Sequence, residues 1–183
     1  MICFGNYNKY GSDKVWLGST ERRILQGCVY FLGDRSLFDG KDKHDDHVLL
    51  QNMVYFLQMK DWMGTDYEFS LISKDGMYSD GLDALLRLMD RKKDDVYTYQ
   101  RYDQYFEELS LKDWRRINSF FEQYMQQRWG YPVDEWMKAL AVCLYFKTSV
   151  YSSSVSASVV AEQIQKEDLS LSTQLIEKVW GLL

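Results

Sequence analysis

The run Asp42-Lys43-His44-Asp45-Asp46-His47 is the densest collection of potential ligands in the chain. Imidazole and carboxylate groups bind zinc, iron or manganese. If a helix begins before His44, the two histidines share one face. A metal-dependent hydrolase would use His44 and His47. These are the only 2 histidines in the sequence. It carries no H-E-x-x-H pair, nucleophile elbow or Gly-rich phosphate loop. An His-Asp dipeptide alone lacks the distal ligands of a phosphohydrolase. The expected reading is therefore a polar loop whose Asp45 or Asp46 caps the next helix, with no metal and no cofactor. Asp42, Asp45 and Asp46 then become candidates for steering a basic protein partner.

Other reactive side chains give less. Glu107 with Glu108, and Asp134 with Glu135, sit where they favour the positive ends of following helices. Cys28 and Cys143 have apolar neighbours, which raise a thiol pKa and suit small buried hydrophobes. The 3 cysteines form no close pair, so a reducing, cytoplasmic setting is expected. No catalytic residue is assigned, and the chain is read as a non-enzyme.

Two stretches offer contact chemistry instead. "WRRINSFFEQYMQQR" places Arg115, Arg116, Gln123, Gln126, Gln127 and Arg128 on the polar side of a helix. Such a helix could read nucleic acid in a winged-helix arrangement. The net charge of −5 disfavours that class, because phosphate binding needs concentrated basic residues. Arg115, Arg116 and Arg128 serve equally as oriented donors toward a protein. "DGMYSDG" combines two glycines with Met77 and Tyr78, so it reads as a turn that either wedges Tyr78 into the core or exposes it with Met77 as contact area.

The elements that must position these residues follow from periodicity. With 46% hydrophobic and 16% aromatic residues, the 183-residue chain can bury a substantial core. Residues 1–18 read as extended or irregular. Ile24, Leu25, Cys28, Val29, Phe31 and Leu32 mark a first helix up to Gly33. A second, Val48 to Met59, is apolar on nearly every side, which requires deep burial. Both helices carry "LQ" and then "VYFL". Phe and Leu bury area and do little chemistry, so the shared letters indicate two core helices rather than a duplicated site.

Tyr67 to Leu71 alternates as a strand does, and Val96 to Tyr99 is a candidate partner for it in a hairpin or wing. Leu82, Leu85, Leu86 and Met89 form a helical face. Ser110 and Asp113 match a capping box before a helix bearing Trp114, Ile117, Phe121 and Tyr124, which Gly130 ends. Pro132 suits the first turn of the next helix, with Trp136, Leu140, Cys143 and Leu144. A helix entered near Val159 and another with Leu171, Leu175, Ile176 and Val179 complete the chain. The expected fold is mainly α with a small antiparallel hairpin, in one helical domain. No apolar run reaches the roughly 18 residues of a membrane span.

Three segments carry a family resemblance. "LLQNMVYFLQ", from Leu49 to Gln58, is similar to a helix of the bacterial YwgA-like proteins, relatives of the SocA-like or Panacea group. "YEFSLISKDGMYSDGL", from Tyr67 to Leu82, resembles the family's aromatic strand and following "YGPYS-x-x-L" turn, with Gly76, Tyr78, Ser79 and Leu82 matching. "WMKALAVCLYF" looks like a later family helix. Asn52, Met77 and Lys138 depart from the family's lysine, proline and glutamate. The resemblance spans most of the chain from Leu49 onward. It implies a helical domain with a small strand element that binds a protein, in an antitoxin or phage and plasmid setting. The partner expected is another protein of unspecified identity, with a second copy of the chain as an alternative.

Overall fold

The structure, a computed structural model, describes residues 19–34, 43–60, 67–90, 111–151 and 155–183. Seven α-helices and one two-stranded sheet are found among them. Helix α1 spans Ser19–Asp34, α2 Lys43–Met59, α3 Asp80–Asp90, α4 Leu111–Met125, α5 Val133–Tyr145, α6 Ala157–Lys166 and α7 Thr173–Leu182. Strands β1 (Ser70–Ile72) and β2 (Gly76–Tyr78) lie between α2 and α3. The fold is mainly α with a small antiparallel hairpin, as the periodicity requires.

Helices α2 and α5 form the centre. Helix α2 packs on α1, α3, α5 and β2, while α5 packs on α2, β2 and α7. Every residue from Leu49 to Leu57 is buried, so α2 has no solvent face over that length. Phe31, Val54, Phe56, Leu57, Phe121, Leu140 and Leu144 all belong to one apolar cluster. Rings join α4 to the first two helices: Phe31 lies 5.0 Å from Phe121, and Phe56 lies 4.9 Å from Tyr124. These centroid separations suit tilted and edge-on aromatic packing.

Several boundaries differ from the sequence expectation. Helix α2 begins at Lys43, so the polar run from His44 to His47 is helical rather than a loop. Asp45 and Asp46 in its first turn favour the helix's positive end, which lets a polar sequence continue an apolar helix. Strand β1 pairs with the neighbouring segment Gly76–Tyr78, in the register Ser70↔Tyr78, Leu71↔Met77 and Ile72↔Gly76. The two glycines of "DGMYSDG" predict a turn there instead. The proposed partner Val96 to Tyr99 lies outside the described residues, as do residues 1–18, Asp42 and Ser110.

Helix α4 ends at Met125, five residues before Gly130, and Pro132 takes the N-cap position of α5. The end of α5 widens into a π-helical turn over Phe146–Val150, closed by Tyr151 N–H donating to the Phe146 carbonyl at 2.8 Å. Leu171 precedes α7 rather than lying on it, and Ser172 caps that helix by accepting from Leu175 N–H.

Candidate functional site

A helix buried on all sides still carries the polar Gln51 and Asn52, 0% and 1% exposed. Burying unpaired amides is costly, so each must find partners inside the fold. They find them on the hairpin backbone. Gln51 Oε1 accepts from Ser79 N–H and its Nε2 donates to the Ser79 carbonyl, both at 3.1 Å. Asn52 Oδ1 accepts from Met77 N–H at 3.1 Å, while Nδ2 donates to the Asp75 carbonyl at 2.9 Å. About two turns on, Gln58 pairs in the same two-way fashion with the backbone of Tyr67, at 2.9 and 3.0 Å. Because Met77 N–H points to α2, the Leu71↔Met77 pair is a non-hydrogen-bonded one in the ladder. The amides of α2 thus act as the neighbouring strand of β2.

The hairpin tip is held from two further sides. Lys138 Nζ of α5 donates to the Lys74 carbonyl at 2.8 Å. Lys74 N–H donates to the Asp168 carbonyl at 3.2 Å. Lys74 and Asp168 both adopt positive φ, 70° and 54°. Gly76 has φ +89°, and a Cβ there would stand 2.7 Å from Asn52 Oδ1 and 2.9 Å from Lys138 Cγ. Only glycine fits both the conformation and the space. Asn52, Met77 and Lys138 therefore gather around one turn.

The two histidines engage different carboxylates. His44 Nε2 lies 3.4 Å from Asp75 Oδ1, and His47 Nδ1 lies 3.7 Å from Asp83 Oδ1. Asp83 also takes a hydrogen bond from Arg87 Nε and interacts with the Tyr78 hydroxyl. Burial disfavours ionised Asp83, but the hydrogen bonds from Arg87 and Tyr78 and the charges of Arg87 and His47 outweigh it, holding the carboxyl below its usual range. Tyr78 shifts upward, through burial first and then through Asp83. This cluster ties α2, the hairpin exit and α3 together. Among the described residues no group of three or more His, Cys, Asp or Glu is placed to hold a metal ion.

The expected contact residues scatter. Met77 is 1% exposed and packs with Tyr55 and Ala141, which removes it from any contact surface. Its side chain shares a strand face with the core because Asn52 fixes its backbone. Tyr78 is half-buried on the opposite face. Asp46 is 4% exposed and cannot steer a partner from the surface, whereas Asp45 is exposed. Asp42 lies outside the described residues. Arg115 and Arg116 are exposed on α4. Arg128 is half-buried and donates through Nη1 to the Tyr131 carbonyl, shaping the turn between α4 and α5.

That turn holds the residue sequence reading missed. Trp129 is 55% exposed, with φ 49°, and is followed by Gly130 at φ 85°. Its ring meets buried Trp136 edge-on at 5.7 Å. Lys178 Nζ of α7 lies 5.2 Å from the Trp129 centroid and 5.1 Å from that of Tyr131. A tryptophan flanked by arginine and followed by glycine after a helix is the sequence signal for this turn, which a reading of Gly130 only as a helix stop passes over.

No family model matches the chain, and neither a curated protein nor a solved structure does. No helix among the described residues is long and apolar enough to cross a membrane.

Proposed function

We propose that this chain works by binding another protein, as an antitoxin-like or phage- or plasmid-associated inhibitor of a toxin or defence nuclease. The observation that carries the binding class is Trp129. A large aromatic ring is held more than half exposed on a turn whose backbone sits in a conformation unfavourable for a non-glycine residue. Tryptophan, tyrosine and arginine dominate the energetic centres of protein interfaces. The turn supplies Trp129 and Tyr131 as area, with Arg128 bracing it from within. The resemblance to YwgA-like and Panacea-related proteins supports the biological setting.

Affinity capture from the native host, with wild type and Trp129→Ala side by side, tests the reading. A stoichiometric protein partner that weakens by about 2 kcal/mol, roughly 30-fold, on losing Trp129 supports it. A chain that captures no protein partner overturns it, and turnover of a nucleotide or ester would assign it to the enzymes instead.

A second reading has one observation in its favour: Arg115 and Arg116 stand exposed on α4, as a winged-helix nucleic-acid binder would need. A plasmid shift assay at two salt concentrations decides it. No shift at low salt removes this reading.

A further inference from the structure

We infer that the Trp129–Tyr131 turn is a cation site, filled by Lys178 in the free chain and taken over by a basic side chain of the protein partner on binding. This rests on the protein-binding reading and adds the partner's chemistry. One ammonium group faces two rings, at 5.2 and 5.1 Å from their centroids. Both distances fall inside the roughly 6 Å within which a ring quadrupole attracts a cation. The site therefore already has the geometry for a positive ligand.

The rings are held more firmly than the ammonium. Trp129 and Gly130 carry positive φ, which sets the direction of the turn. Tyr131 N–H donates to the Arg128 carbonyl at 3.1 Å, and Arg128 Nη1 returns a bond to the Tyr131 carbonyl. Trp136, fully buried, supports Trp129 edge-on from below. Lys178, by contrast, reaches the rings on a flexible four-carbon stem. With Trp129 55% exposed, its contact lies at a wet surface where cation–π attraction is weak and exchangeable. A preorganised acceptor with a loosely held internal cation is what displacement by a partner requires.

Charge selects the class of ligand. An apolar group can cover Trp129, but a cation also keeps the electrostatic attraction to both rings that displaced Lys178 gives up. Arginine, lysine and methylated ammonium groups meet that condition. The chain's net charge of −5 draws a basic protein toward it, and Asp134 and Glu135 follow the turn at the start of α5. The occupant assigned is an arginine or lysine of a basic protein; a free quaternary amine shares the chemistry and serves as the probe.

The test titrates tetramethylammonium chloride into the full-length, isotope-labelled chain and follows the Trp129 indole N–H signal, assigned with Trp129→Phe. Sodium chloride at equal ionic strength is the control. Lys178→Met keeps the stem and removes the charge. It should give a saturable shift at about fivefold lower probe concentration than wild type. A Lys178→Met response no larger than the salt control, or equal to that of wild type, overturns the cation site. If the probe responds but affinity capture finds no protein partner, the site stands and the protein-binding reading fails. If a captured partner depends on Trp129 while Lys178→Met ignores the probe, the protein-binding reading stands and the cation site falls.

Discussion

Asn52 Oδ1 accepts a hydrogen bond from Met77 N–H at 3.1 Å, which joins the buried stretch of α2 to the inner strand of a hairpin. The same amide donates to the Asp75 carbonyl and to Val48 on its own helix. A side chain thus satisfies backbone groups that a longer sheet would have paired strand to strand. This is why a hairpin of two three-residue strands has a defined place in the fold.

Asn52→Leu removes the acceptor and leaves Met77 N–H buried and unsatisfied. The expected loss is about 1–3 kcal/mol in urea unfolding. Gly76→Ala should also destabilise, since φ +89° is unfavourable and the new methyl meets Asn52 Oδ1 and Lys138 Cγ. A wild-type midpoint for both variants would show that the hairpin is not held this way.

Phe56 is fully buried between rings of α4, with Phe120 at 5.5 Å and Tyr124 at 4.9 Å. Truncation to alanine deletes those contacts and opens a cavity, at a cost of about 3–5 kcal/mol. Chemical denaturation of Phe56→Ala measures it directly.

Asp83 should shape the acid limb of the stability profile. Its folded pKa lies below the usual carboxyl value, so its contribution is present above about pH 4 and disappears as pH falls through the lower folded value. Asp83→Asn should flatten that limb. Tyr78 behaves in the opposite sense: its raised pKa favours the neutral phenol, so its contribution holds below about pH 10 and is lost above. Tyr78→Phe should flatten the alkaline limb. Melting curves across pH for the two variants check both signs.

Burial pushes the Cys143 thiol up to about 12, with Lys147 opposing weakly, and pushes Cys28 up as well. Both should resist thiol reagents at mildly alkaline pH until denaturant is added. A Cys3→Ser background isolates these two. Fast labelling of the folded protein would contradict their burial.

Helix α1 and helix α2 show how far the sequence alone reached. Both carry Leu-Gln, two spacer residues and Val-Tyr-Phe-Leu, and periodicity correctly marked both as core helices. Apolar spacing determines burial because any helix must hide an apolar face, whatever it packs against. Two of the departures from the expected boundaries lie at polar residues. His44, Asp45, Asp46 and His47 look like a loop until Asp75 and Asp83 are brought opposite the histidines. Asp75 is the turn former its sequence suggests, but Gly76 to Tyr78 becomes a strand by pairing with Ser70–Ile72, and Asn52 satisfies the edge that faces α2.

The matching glutamines make the same point at one position. Gln26 in α1 donates to Tyr30 within its own helix, at 3.2 Å. Gln51, at the equivalent place in α2, holds the backbone of Ser79 twenty-eight residues away. The next residue diverges in kind: Gly27 has Ile117 of α4 pressed against it, and Asn52 has the hairpin. Apolar pattern is a local property of the chain and determined which residues were buried. Hydrogen-bond partners, and the exposure of Trp129 beside Lys178, depend on which distant backbone or side chain arrives, and only the tertiary structure decided that.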